Sequence, residues 1–257
     1  MNTTNPILKK MQNKQPAYGV WLGIPSPHSA RLLARQPVDW LLVDAEHSPV
    51  DAERMTMMIL AISEANGPQA VVRLAEANAE NIKRALDAGA AGVIAPMVNT
   101  GAQAAQVVAW AKFPPMGTRS FGSAYAGLAF GQSMPEYLKA SNAQSFVGVQ
   151  VESKEALDDL DGIFSTPNLD MVFVGPVDLS VSLGLDPLPE NEHPRFLEAM
   201  DAIHAAAKKH NMPMGIYASS AQAARQRVEE GFTFVNVASD IGAMLGGVGA
   251  ALKTVRE

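Results

Sequence analysis

Short apolar runs rich in β-branched residues alternate along the chain with Ala-rich stretches whose apolar positions recur every three to four residues. Runs of the first kind suit strands buried on both faces, and the second kind suits helices with one buried stripe. Strands are expected at residues 18–24, 40–44, 70–74, 92–98, 146–152, 171–174, 213–218 and 232–238. Helices are expected at about residues 6–12, 27–34, 50–65, 77–88, 102–112, 154–163 and 221–230, with a last one from about residue 241. The helix over 50–65 places Met55, Met58, Ile59 and Ile62 on one buried face. A long helix after the sixth strand carries Leu197, Met200, Ile203 and Ala206. Ser26-Pro27 suits a helix start, Asn66-Gly67-Pro68 a stop, and Gly89 a C-terminal cap.

Eight strands, each followed by a helix, predict an α/β protein with a parallel sheet. In 257 residues they fit a closed (β/α)8 TIM barrel, with one domain over residues 1–257, better than an open sheet. Residues 113–144 form the longest irregular stretch, with one short helix expected near 135–140. Its aromatic residues Phe121, Tyr125, Phe130 and Tyr137 argue for an ordered, functional loop.

Composition narrows the chemistry. The net charge is −6 and no basic run occurs, which argues against nucleic acid as a partner. The absence of cysteine excludes disulfides, thiolate catalysis and cysteine metal sites. No window approaches the ~18 continuous apolar residues of a membrane span, and no signal-peptide core opens the chain, so a cytoplasmic protein is expected.

In a (β/α)8 barrel chemistry sits at the carboxyl ends of the strands. The ionisable residues expected there are Asp44, Glu46, His47, Arg73, Glu152, Asp178 and Asp240. Glu152 and Asp178 on neighbouring strand ends, with Gln150 on the same face as Glu152, make an oxygen-rich site for Mg²⁺ or Mn²⁺. Helix capping is the rival for each carboxylate taken singly. His47 is either a general base oriented by Asp44, brought close by a turn at the strand end, or a helix-start histidine beside two solvated carboxylates. Arg73 lies among apolar neighbours and needs an anionic or carbonyl partner, either an internal ion pair or a developing oxyanion. Lys154 follows Glu152 by two residues and is the one candidate for Schiff-base chemistry, against the plainer reading that it starts a solvent-facing helix. The Gly246-Gly247-Val248-Gly249 run follows no strand and makes a poor phosphate loop.

Six ordered motifs carry a resemblance: Val43-Asp44-Ala45-Glu46-His47, Val72-Arg73-Leu74, Pro96-Met97-Val98-Asn99-Thr100, Pro114-Pro115-Met116-Gly117-Thr118-Arg119-Ser120, Gln150-Val151-Glu152 and Gly175-Pro176-Val177-Asp178-Leu179-Ser180. Together they resemble the HpcH/HpaI metal-dependent pyruvate aldolases over nearly the whole chain. The resemblance implies reversible cleavage of a 4-hydroxy-2-oxo acid to pyruvate and an aldehyde. It implies that Glu152 and Asp178 hold the divalent ion (Mg²⁺, Mn²⁺ or Co²⁺) and that His47, paired with Asp44, moves protons. Arg73 would contact the keto oxygen, Gln150 would be a nearby polar contact, and the backbone of Gly175, Pro176 and Val177 would receive the pyruvate carboxylate. Val177 stands where relatives often carry Ala, which narrows the pocket. Trp21 and the 113–144 loop are expected to face the aldehyde, with Arg119 either meeting a distal carboxylate or anchoring the loop. The resemblance also implies a hexamer with C-terminal helices exchanged between subunits. Rival readings are a related barrel lyase acting on a CoA ester or a phosphoenolpyruvate-type acid, and a non-catalytic 2-oxo-acid-binding barrel.

Overall fold

The computed structural model describes residues 5–257. Eight strands, all parallel, close into a barrel in sequence order: β1 (Ala17–Leu22), β2 (Trp40–Asp44), β3 (Gln69–Arg73), β4 (Gly92–Ala95), β5 (Phe146–Val151), β6 (Met171–Val174), β7 (Met214–Ile216) and β8 (Phe234–Ser239). The fold is a (β/α)8 TIM barrel. The helices are α1 (Pro6–Gln12), α2 (Pro27–Leu33), α3 (Ala52–Ser63), α4 (Ala79–Asp87), α5 (Gly101–Ala111), α6 (Ala124–Ala129), α7 (Met134–Gln144), α8 (Lys154–Asp158), α9 (Leu160–Phe164), α10 (Pro176–Ser182), α11 (Pro194–His210), α12 (Ala221–Glu229) and α13 (Asp240–Arg256). Among the described residues no helix is long and apolar enough to cross a membrane.

The period of two along each strand divides the apolar residues into two cores. Outward-facing Leu41, Val43, Val72, Val93, Val147, Val149, Val172 and Val235 pack against the helices. Inward-facing Trp21, Trp40, Leu42, Val71, Ile94, Phe146, Met171, Phe173 and Phe234 fill the barrel. Trp40 stacks on Phe234 with ring centroids 4.0 Å apart. Gly19 is what admits the indole of Trp40, because a Cβ there would overlap the ring. Ile7, Leu8 and Met11 of α1 join the interior core and close the barrel at the amino ends of the strands. Asn5 fastens that plug by donating to the Ala91 and Gln144 carbonyls at 2.9 and 2.7 Å.

The same alternation sets the site. Inward positions that are apolar at the bottom and middle of the barrel become polar at its top. Trp40 and Leu42 are followed by Asp44, Val71 by Arg73, and Gly148 by Gln150 and Glu152. Local signals hold the helices that follow. Thr100 and Gln103 form a capping box on α5, Ser26 caps α2, and Gly89 follows α4 at φ +102°.

Three expectations change. The helix expected over 154–163 is two short helices, because Asp159 breaks it and turns its carboxylate to accept the Gly101 N–H at 2.7 Å. The buried stripe of α11 is Phe196, Ala199, Met200, Ile203 and Ala207, so Leu197 is exposed. Met200 and Ile203 are buried as expected, while Phe196 and Ala207 take the places of Leu197 and Ala206. The 113–144 stretch contains α6 as well as α7. Arg119 anchors it: its side chain is fully buried, pairs with Asp87 at 2.7 Å and lies 4.5 Å over the Phe113 ring.

In α13 only Asp240 is buried, while Ile241, Met244, Leu245, Val248, Leu252 and Val255 are exposed. Asp240 accepts the N–H groups of Gly23 and Ile24 at 2.8 and 3.0 Å, tying the helix start to the end of β1.

Candidate active site at the carboxyl ends of the strands

A cavity of about 460 Å³ opens at the top of the barrel, lined by Trp21, Asp44, His47, Arg73, Gln150, Gly175, Pro176, Val177 and Asp178, together with Phe173 and Tyr217. The first nine of these are residues singled out in the sequence, whereas Glu46, Glu152, Asp240, Arg119 and Lys154 do not line the cavity, and neither does any residue of the 113–144 stretch expected to face the aldehyde. Glu152 lies beneath this lining, 2% exposed, and reaches it through Gln150.

Asp44 and Arg73 are register partners on β2 and β3. Arg73 donates from Nε and Nη2 to the two oxygens of Asp44 at 2.9 and 2.6 Å. Trp21 Nε1 donates to the same carboxylate at 3.1 Å, and the Arg73 guanidinium lies 4.8 Å over the Trp21 ring. Burial works to raise the Asp44 pKa, but the hydrogen bonds and charge of Arg73 outweigh it and hold the group below its ordinary value.

The expected pairing of Asp44 with the His47 imidazole is corrected here. Asp44 accepts the backbone N–H groups of Glu46 and His47 at 3.1 and 3.3 Å, so it shapes the turn rather than the ring. Arg73 takes up the Asp44 carboxylate face to face, which leaves it no lone pair aimed at the imidazole. The carboxylate facing the ring is Glu46, whose Oε2 lies 3.7 Å from His47 Nε2 and 3.1 Å from Arg73 Nη1. Neither approach is a well-aligned hydrogen bond, and Glu46 Oε2 is buried without a partner. Burial, then the charges of Asp44 and Asp178, raise the Glu46 pKa against the opposing pull of Arg73. The His47 side chain is 61% exposed at the cavity mouth.

On the far side, Glu152 accepts the Met97 N–H at 2.8 Å and a short hydrogen bond from Gln150 Nε2. Burial, reinforced by the charges of Glu46 and Asp178, pushes its carboxyl up to about 7, against the lowering effect of those two hydrogen bonds. Asp178 sits in the first turn of α10 and is exposed. That turn has no side-chain cap, Pro176 has no N–H and the Gly175 N–H is donated to the Val151 carbonyl, so the N–H groups of Val177 and Asp178 are the ones available to an anion.

Among the described residues no group of three or more His, Cys, Asp and Glu side chains gathers as a ready metal site. The donors nonetheless fit a hard divalent ion. A carboxylate raised chiefly by its burial, a second carboxylate whose charge adds a little to that rise, and the buried, unpartnered Gln150 Oε1 are all oxygen donors. Mg²⁺-like ions tolerate so small a set because they keep several waters.

Lys154 begins α8 with its side chain exposed, outside this cavity. Tyr217 lines the cavity too, and nothing in its local sequence marks it as a site residue. Only its place one residue beyond β7, in line with the inward positions, points there.

A family model described as "HpcH/HpaI aldolase/citrate lyase" matches residues 17–246. The chain is 36% identical, over 99% of its length and 98% of the relative's, to a hydroxypyruvate/pyruvate aldolase of Paraburkholderia phytofirmans. It is 39% identical, over 87% of its length and 86% of the relative's, to a 5-keto-4-deoxy-D-glucarate aldolase of Klebsiella pneumoniae. The crystal structure of an HpcH/HpaI aldolase/citrate lyase family protein from Burkholderia cenocepacia superposes with a TM-score of 0.90 at 36% identity, covering 99% of this chain and 100% of that one. With these strand-end residues in one cavity, the chain belongs to the HpcH/HpaI aldolase/citrate lyase family and is an aldolase-type carbon–carbon lyase.

Proposed function

We propose that the protein cleaves 4-hydroxy-2-oxo acids reversibly to pyruvate and an aldehyde, using a divalent ion. The observation that carries this reading is the convergence of His47, Arg73 and the Gln150–Asp178 side of the barrel on one cavity. Glu152 and Asp178 would hold the ion, with Gln150 beside them, and Mg²⁺, Mn²⁺ and Co²⁺ all suit the oxygen donors. When bound, the ion supplies Lewis-acid stabilisation of negative charge on the substrate.

The chain's own groups do the rest. The carboxylate of the oxo acid sits at the uncapped first turn of α10, among Gly175, Pro176 and Val177. Arg73 has five N–H donors, of which Asp44 takes two, and it turns an unused one to the 2-oxo oxygen. Asp44 fixes the plane of that guanidinium, and Trp21 covers it. His47 at the mouth takes the proton from the 4-hydroxyl in cleavage, and a methyl proton of pyruvate in the synthetic direction. Glu46 is the carboxyl group beside His47. Trp21 walls the aldehyde side.

The same reading makes the enzyme a cytoplasmic hexamer. The six exposed apolar residues of α13 support a helix that packs on a second copy of the chain. The test is a panel of short, hydroxylated and carboxylated aldehydes with pyruvate and Mg²⁺ or Mn²⁺. Aldol products with at least one member support the reading, and no product with any member refutes it.

A further inference from the structure

Tyr217 directly follows β7 and faces the cavity that also holds Asp44, His47 and Arg73. Its ring stands edge-on to Trp21, with centroids 5.6 Å apart and planes at 88°. Trp21 meets Phe173 in turn at 5.8 Å. Aromatic neighbours therefore hold the ring in place, and among the described residues its hydroxyl has no hydrogen-bond partner.

The surrounding polar groups are mostly committed. Asp44 is taken by Arg73 and Trp21, Gln150 Nε2 by Glu152, and Ser239 Oγ accepts the Gly242 N–H. Burial, then the charge of Glu190, push the Tyr217 phenol above its ordinary value, with Arg73 opposing. The hydroxyl thus stays protonated near neutral pH and remains a donor. A hydroxyl held in a half-buried apolar frame loses water on substrate binding and regains a partner only from the substrate.

We propose that Tyr217 is a specificity residue whose hydroxyl donates a hydrogen bond to a substrate hydroxyl, so that the enzyme prefers hydroxylated substrates to their deoxy counterparts. The proposal rests on the aldolase reading above. The hydroxyl belongs either to C3 of the oxo acid or to the carbon beside the aldehyde, and the two sources are separable. A site built to bond a hydroxyl discriminates against the analogue lacking it, because its own polar group is then left unpaired.

The experiment compares wild type and Tyr217→Phe on two substrate pairs with Mg²⁺ present. Hydroxypyruvate is set against pyruvate with a common aldehyde, and glycolaldehyde against acetaldehyde with pyruvate. The readout is the ratio of kcat/KM within each pair, which cancels any loss common to both members. We expect one ratio to fall about tenfold in the variant, equivalent to about 1.4 kcal/mol, and the pair affected locates the hydroxyl. Both ratios staying within twofold of wild type would overturn the proposal. Tryptophan fluorescence titrations of the same four compounds give the corresponding ratios of Kd without turnover. If the wild type turns over no pair, the aldolase reading fails, while the Kd ratios still decide for or against Tyr217.

Discussion

Asp44 and Arg73 meet as register partners at the ends of β2 and β3, and two parallel hydrogen bonds of 2.9 and 2.6 Å join carboxylate to guanidinium. Both side chains are nearly buried, so neither charge can fall back on water. Breaking one side of such a pair costs about 3–5 kcal/mol, whereas replacing both sides with apolar groups is often neutral. Asp44→Asn should therefore lower unfolding stability by roughly 3 kcal/mol in urea titrations, and Asp44→Asn combined with Arg73→Met should recover part of the loss. Additive losses in the double variant would contradict the pairing. The lowered Asp44 pKa sets the sign with pH. Its contribution is complete above the ordinary value of 3.8 and is lost as pH falls through the lower folded value.

Gly175 leaves the space in which Glu152 and Gln150 meet. A Cβ built there would overlap Glu152 Oε2 and come within 2.9 Å of Gln150 Nε2. Its backbone lies outside the left-handed region, so alanine brings no backbone strain. Gly175→Ala should fold but displace the Glu152 carboxylate, weakening Mn²⁺ binding by about 10–100-fold, the range seen when a ligand's support is lost. Isothermal titration with Mn²⁺ checks this, and unchanged affinity would separate Glu152 from the ion.

Glu152 gives a pH signature in the opposite direction to Asp44. Its folded pKa of about 7 lies above the ordinary 4.5. Between those values the metal-free folded chain keeps a proton that the unfolded chain has released. Stability from this group is thus complete below 4.5 and falls as pH rises through about 7, by at most about 1.4 kcal/mol per pH unit. A cation replaces that proton, so Mn²⁺ should raise Tm more at pH 8 than at pH 6. Glu152→Gln should flatten both trends. Equal Mn²⁺ shifts at the two pH values would count against the carboxylate as a ligand.

The barrel was legible in the chain because strands buried on two faces and helices buried on one leave different periods. The run Met171–Val174 has the bounds expected of it, and Met55, Met58, Ile59 and Ile62 are buried together. The charged residues that line the cavity were legible for a related reason: a charge at the end of an apolar run has few structural uses. What stayed hidden is contact across strands. His47 is three residues from Asp44 in sequence, yet the partner of Asp44 is Arg73, twenty-nine residues away and adjacent in register. Two opposite charges ending neighbouring buried strands satisfy each other first, and which residues end in register is set by strand pairing rather than by spacing along the chain. Tyr217 was missed because a tyrosine beside a short strand carries no charge to flag it. The exposure of the apolar α13 residues depends on what the helix packs against, which composition does not encode.

Under the proposed function, a divalent ion and His47 enolise pyruvate in this cavity. Proton NMR of pyruvate in D₂O reads it directly, as loss of the methyl signal. Exchange should stop in EDTA, return with Mn²⁺ or Mg²⁺, and fall by about 10²–10⁴-fold in His47→Ala while Mn²⁺ affinity is largely kept. Exchange that persists in EDTA, or that proceeds at the wild-type rate in His47→Ala, would contradict the account.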